Sequence, residues 1–226
     1  MKQFHRLTSE VKDLRLKSRN KFMKSYKAGF YDENYKSKER DFKWSAHEKW
    51  QEVLNKKEFR SLMTKKNYQE IALRALKVES STVLLFSSEE KALHNGVKTP
   101  EGAEHFAKGL YQLLYGTASM EIRFNLWVEC VGSLLKKQMR TLTWPMVTAF
   151  GFIAQPETHA YLKPIVTKNA ALNYGFDYKD QPEPNWEGYR DYLEFCEQIK
   201  LDLKDLKPRD MIDVQSFLSV QGSSEY

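Results

Sequence analysis

Thr143 to Pro164 reads TWPMVTAFGFIAQPETHAYLKP, and this stretch decides the fold class. Thr143 is placed to cap a helix, and Pro145 falls in its first turn, where a missing N–H costs nothing. Met146, Val147, Ala149, Phe150, Phe152, Ile153 and Ala154 leave almost no polar face, so this helix should be buried on most sides. Gln155-Pro156 ends it, because the residue before a proline is pushed out of the α region. Tyr161-Leu162-Lys163-Pro164 then turns the chain into the next helix. A helix that is apolar all round needs other elements wrapped about it, and the flanking sequence must supply them.

Downstream, Thr167 can cap a short helix that stops at Gly175, and residues 177–184 form a polar, proline-containing loop. Asn185 caps the longest C-terminal helix, Trp186 to about Leu203, with Tyr189, Leu193, Cys196, Ile199 and Leu203 on its inner face. Pro208 opens a last helix through Leu218. Upstream, Thr99-Pro100-Glu101 starts a helix that ends at Gly116, and Met120, Phe124, Trp127, Val128 and Val131 line the next. Ser87-x-x-Glu90 reads as a capping box for a helix to His94. Ser80–Phe86 is the one β-like run and reads as buried helix or extended linker. Short helices near 58–63 and 68–76 precede it. Ser37 opens a helix through Leu54 with Phe42, Ala46, Trp50 and Val53 inward and Lys43, Glu48 and Lys49 outward. Thr8 or Ser9 caps a first helix to about Ala28, on which Val11, Leu14, Ser18, Phe22 and Tyr26 form a narrow stripe. The fold class is therefore all-α: a compact multi-helix domain of about ten helices with a basic N-terminal helical extension. Residues 1–77 form a basic helical N-terminal region and residues 78–226 a helical core region, packed together as one domain.

The net charge of +6 conceals an asymmetry. Residues 1–77 carry 21 Lys and Arg against 10 Asp and Glu, a net +11, whereas residues 78–226 carry 15 against 20, a net −5. Such segregation marks either a polyanion-binding half or an internal pairing of a basic half with an acidic one. No run approaches the ~18 apolar residues of a membrane span. The N-terminus is basic without an apolar h-region, so no secretory signal is expected. Cys130 and Cys196 sit on apolar faces, where buried free thiols are expected in a reducing, cytoplasmic setting.

Catalytic signatures are missing. GxxxxGK[ST], a strand-borne GxGxxG, GxSxG, HExxH and CxxC do not occur, and the 5 histidines are scattered without metal-ligand spacing. Neither a cofactor nor a metal is implied. Three constellations remain. Pro156-x-x-His159-x-x-x-Lys163-Pro164, with Lys168 and Asn169, could gather an anion at a helix start. Alternatively, Lys163 lies along the core and His159 caps the preceding turn. Arg209-Asp210-x-x-Asp213 could bind a metal or abstract a proton, although a dipole-complementing Asp210 and an Arg209–Asp213 pair explain it more simply. Trp44, Trp50, Tyr26, Tyr31 and Tyr35 are interleaved with basic residues and could stack bases or form a core. Trp44 is offset from the inner face and is the exposed candidate.

Several literal segments carry a resemblance: Trp144-Pro145-x-Val147-Thr148-x-Phe150-Gly151-Phe152-Ile153-Ala154-Gln155-Pro156, Lys163-Pro164, Asn185-Trp186, Arg209-Asp210-Met211-Ile212-Asp213-x-Gln215-Ser216-Phe217 and Glu39-Arg40-Asp41-x-Lys43-Trp44-x-Ala46-His47. With these the chain resembles a family of uncharacterised bacterial helical proteins. The resemblance implies a bacterial, intracellular, helical protein and brings no established activity with it. A looser likeness is to helical modules that accompany modification-dependent restriction systems, which implies a bacterial defence or mobile-element setting.

The leading expectation is a helical nucleic-acid-binding protein. Lys12, Arg15 and Arg19 of the first helix, with Lys136, Lys137 and Arg140, would contact DNA or RNA phosphates. Lys163 and Lys168 would form a second anion site, and Trp44 would be available to stack. One alternative is a non-catalytic interaction subunit whose basic half docks on an acidic protein partner. Another is an enzyme acting on nucleic acid, with His159, Lys163, Asp210 and Asp213 around one pocket.

Overall fold

A computed structural model describes residues 8–136 and 141–226, the side chain of Lys136 set aside. These residues are all-helical, and no strand occurs among them. α1 spans Ser9–Ser25. A single turn, α2 (Glu33–Tyr35), runs through a π-helical turn at Lys36–Arg40 into α3 (Asp41–Val53). Next come α4 (Lys56–Thr64), α5 (Tyr68–Glu79), α6 (Ser87–Gly96), α7 (Pro100–Tyr115) and α8 (Met120–Lys136). The last four are α9 (Trp144–Ala154), α10 (Pro164–Tyr174), α11 (Trp186–Asp202) and α12 (Met211–Gly222).

α9 is the axis of the core, and every one of its residues is buried. A helix so enclosed cannot leave its last carbonyls to water, so neighbouring side chains must satisfy them. His47 of α3 donates from Nδ1 to the carbonyl of Ile153 at 2.8 Å, and Gln51 donates to that of Ala154 at 3.0 Å. Trp127 of α8 donates to the Val147 carbonyl at 2.9 Å. α3, α5, α7 and α8 pack around α9. One continuous cluster of buried apolar side chains includes Phe22 and Val220, and so draws on residues 1–77 and 78–226 alike. α1 lies against α10 and α12, with Phe22 ringed by Phe30, Tyr35 and Phe217.

Several local expectations need correction. Thr143 occupies the cap position of α9, but its hydroxyl donates to Glu89 at 2.5 Å instead of accepting from the helix. The helix before Trp50 begins earlier than Ser37, because Asp32 accepts from the Asn34 N–H and starts the turn that continues into α3. In α6 the cap lies one residue before Ser87: Glu89, not Glu90, bonds back to the Phe86 N–H. α10 starts at Pro164 rather than at a Thr167 cap, and Gly175 closes it at a left-handed φ of 68°. The Ser80–Phe86 run is neither helix nor strand; it is a chain of turns and bends. Among the described residues no helix is long and apolar enough to cross a membrane.

α10 and α12 make the most extensive helix contact, and it depends on Gly222. A Cβ there would sit 1.9 Å from the Val166 carbonyl oxygen, a backbone atom that cannot swing aside. Gly222→Ala is therefore expected to destabilise the fold by about 2 kcal/mol through forced separation of the two helices. Urea denaturation of the variant checks this.

Candidate nucleic-acid interface and buried ion network

Charged residues of the segment before α3 and of the start of α12 meet inside the protein. Arg40, at the end of the π-helical turn, is 6% exposed and grips Asp210 with two bonds, 2.9 Å from Nη1 and 2.7 Å from Nη2. Its Nη1 also reaches Asp213 at 2.8 Å. Asp213 is fully buried and accepts from Tyr35 Oη at 2.6 Å and from Arg209 at its backbone N–H, Nε and Nη2 at 2.8, 2.9 and 3.0 Å. Asp210 caps α12, accepting from the Ile212 and Asp213 N–H groups. Burial opposes the charge on Arg40, but Asp210 and Asp213 outweigh it and leave the guanidinium more basic than usual.

Beside this pair Lys43 is 5% exposed and donates to Glu39, Gln215 and Ser216 at 2.9, 2.6 and 3.1 Å. Burial lowers its pKa, and Glu39 opposes that effect. Tyr226 in turn donates to Glu39 and shares a hydrogen bond with Tyr26. Lys43 was expected outward; its ammonium is buried because three oxygens satisfy its three protons. Trp44, the exposed stacking candidate, is half-buried. Arg40 lies 4.9 Å from its ring centre, the His47 ring packs against it tilted by 39°, and its Nε1 donates to Glu48. A pocket of about 500 Å³, lined by Trp44, Arg40, Asp41, Glu157, Arg209 and Asp210, opens over the network.

The four residues of the enzyme alternative do not share one environment. Asp210 and Asp213 are held by arginines. His159 is buried against Gly151 and Tyr189. Its Nδ1 lies 3.5 Å from Tyr189 Oη, Nε2 has no hydrogen-bond partner, and burial with the nearby Arg123 pushes its pKa down to about 4. Lys163 is exposed at the start of α10. Among the described residues no three His, Cys, Asp or Glu side chains are grouped to hold a metal ion.

The expected phosphate contacts divide. Arg15 pairs with Asp202 at 2.7 Å and Arg19 with Asp205 at 2.6 Å, so both tie α1 to the end of α11 and the turn after it. Together with the Arg40 pairs, these are links between the basic and acidic halves of the chain. Lys168 pairs with Asp180 at 3.3 Å. Lys12 remains exposed. The Lys136 side chain, Lys137 and Arg140 lie outside the described residues.

A basic surface that the sequence reading passed over lies at α4. Lys56, Lys57, Arg60 and Thr64 are exposed on one face, opposite the buried Leu62, and Lys65 and Lys66 extend that surface through the turn to α5. Among the described residues none of these five cations is in an ion pair. The one acid between them, Glu58, is held by Arg74 at 2.9 Å. The α4 turn closes with the Lys66 N–H on the Met63 carbonyl and the Asn67 N–H on the Leu62 carbonyl. That closure normally employs glycine in a left-handed conformation, and here Lys66 takes it, at φ 55°. The readable signal was the spacing itself: two Lys-Lys pairs and an arginine within eleven residues, with a single acid.

Between α3 and α5 runs an open groove of about 1230 Å³, floored by Phe42, Ala46, Val53, Leu73 and Val78. Glu48, Glu52, Glu58 and Glu70 stand along it. At the far end of α5, Glu79 is 1% exposed. Its Oε1 accepts weakly from Thr82 at 3.4 Å and its Oε2 has no partner. Burial, with Glu90 and Glu89 nearby, pushes its pKa up to about 7. No protein-family model, curated protein or solved structure matches this chain, so its function has to be read from this geometry.

Proposed function

We propose that the protein binds nucleic acid through its phosphate backbone, with the corner formed by α4 and the turn to α5 as the contact surface. The observation that supports this reading is the exposed set Lys56, Lys57, Arg60, Lys65 and Lys66, whose charges no internal acid neutralises among the described residues. Five cations on one surface attract a polyanion and release its counterions. Lys12, Lys17 and Lys24 on the outer side of α1 and Lys163 are further exposed cations. The reading assigns no reaction to the chain, since the buried acids Asp210 and Asp213 are occupied in holding α12 to the segment before α3.

The test is fluorescence anisotropy of labelled DNA and RNA oligonucleotides at about 50 and about 200 mM salt, where backbone binding weakens steeply. Replacing Lys57, Arg60 and Lys65 with glutamate is expected to weaken binding by about tenfold or more at the lower salt, since three phosphate contacts become repulsive. Lys66→Gly is a sharper variant. It relieves the left-handed strain and should raise stability by up to about 1 kcal/mol, while removing a charge and lowering affinity. Binding that is indifferent to salt and to these variants would overturn the proposal.

A further inference from the structure

Resting on that reading, we infer that the α4 corner takes duplex DNA rather than single strands. Two observations lead there. The first is the lack of a stacking surface. Single-strand binders combine cations with exposed aromatic faces on which bases lie. The rings nearest this corner are at most partly exposed, and each has a lysine beside it: Lys56 sits 5.5 Å from the centre of Tyr115, and Lys108 sits 5.8 Å from that of Tyr68. Phe59 is wholly buried, and Trp44 is engaged by Arg40 and His47. The large exposed aromatics among the described residues are Tyr31 and Phe86, neither of which lies in the segment from α4 to α5.

The second observation is the extent of the charge. From Lys56 to Lys65 the chain advances nine residues, about 13 Å along a helix axis. That matches the ~12 Å width of the B-form major groove and exceeds the ~6 Å of the minor groove. Cations at the two ends of α4 can therefore meet phosphates on both strands, an arrangement that a lone flexible strand does not hold ready. The groove between α3 and α5 carries both signs of charge, with Glu52 paired to Lys49 and Glu58 and Glu70 to Arg74, so among the described residues the unpaired cations of this corner lie on the outer face of α4 and its turn. A footprint of this size uses five cations at most. The slope of log affinity against log salt should then be no steeper than about −4.5, at ~0.9 per phosphate.

The experiment compares one labelled DNA duplex, each of its separate strands and the RNA duplex of the same sequence, by anisotropy across a salt series. The native chain is run beside two variants, Lys57, Arg60 and Lys65 changed to Glu, and Lys17, Lys21 and Lys24 changed to Glu, with circular dichroism confirming that both remain helical. Tighter binding of the DNA duplex than of either strand by about tenfold, lost in the α4 variant and kept in the α1 variant, is the expected result. Strands or RNA duplex bound as tightly as the DNA duplex would overturn the inference and leave the nucleic-acid reading standing. Loss in the α1 variant alone would overturn the placement at α4. Absence of binding to every probe at low salt would overturn both.

Discussion

Arg40→Ala is expected to lower the stability of the fold by about 3–5 kcal/mol, because it leaves Asp210 a buried carboxylate without a cation and Asp213 with Arg209 alone. The loss is larger than that of one hydrogen bond. Arg40 supplies three bonds to the two acids. Arg209 cannot replace it: it approaches Asp213 from the neighbouring turn and makes no bond to Asp210. Arg40→Lys should recover only part of the loss, since an ammonium cannot span both Asp210 oxygens in the forked geometry of a guanidinium. Chemical denaturation of the two variants checks the ordering. A cost below about 1 kcal/mol for Arg40→Ala would mean that water entering the site solvates the acids in place of Arg40, and that the network is not the joint between the N-terminal segment and α12.

That joint shows how far residue patterns carry in this chain. The axial helix was legible from Thr143 to Pro164 because its apolar residues leave no polar face and its prolines punctuate both ends. α7, α11 and the Gly175 stop were legible from caps of the same kind. Lys43 was not, although it falls on the same face as Ala46, His47 and Trp50 at helical spacing. A lysine is assigned to solvent by default, and only the partners Glu39, Gln215 and Ser216 reverse the assignment. Two of those partners lie more than 170 residues away. The role of Arg40 was hidden for the same reason. Pairs three or four residues apart can be seen along a helix, but its partners belong to α12 and meet it only after folding. The π-helical turn that delivers Arg40 carries no signature in residue spacing. For the surface, the charge excess of residues 1–77 was correct as a count and ambiguous as a location. Ion pairs take up Arg15, Arg19 and Arg40, while among the described residues no acid pairs with the lysines of α4.

Raising the pH through the range where Glu79 titrates is expected to cost the fold stability, and Glu79→Gln should abolish that dependence. The carboxyl moves from its ordinary value of 4.5 to about 7 on folding, so between those values the folded protein holds a proton that the unfolded chain has released. Stability then falls as pH rises across this window. Below it both states are protonated and Glu79 has no effect; above it the full penalty applies, about 3 kcal/mol for a shift of this size. The direction is opposite to that of a salt-bridged carboxylate, and the cause is geometric. Among the described residues Oε2 meets no donor and no cation pairs with Glu79; the Leu85 N–H and the Thr82 hydroxyl favour the charged form only weakly, and burial with Glu90 and Glu89 nearby outweighs them. Glutamine keeps the shape without the charge. The variant should therefore match the native chain near pH 4 and exceed its stability near pH 8 by up to about 3 kcal/mol. Thermal denaturation across that range decides it: parallel curves for native chain and variant would show that Glu79 stays ionised in the fold and that a donor reaches it.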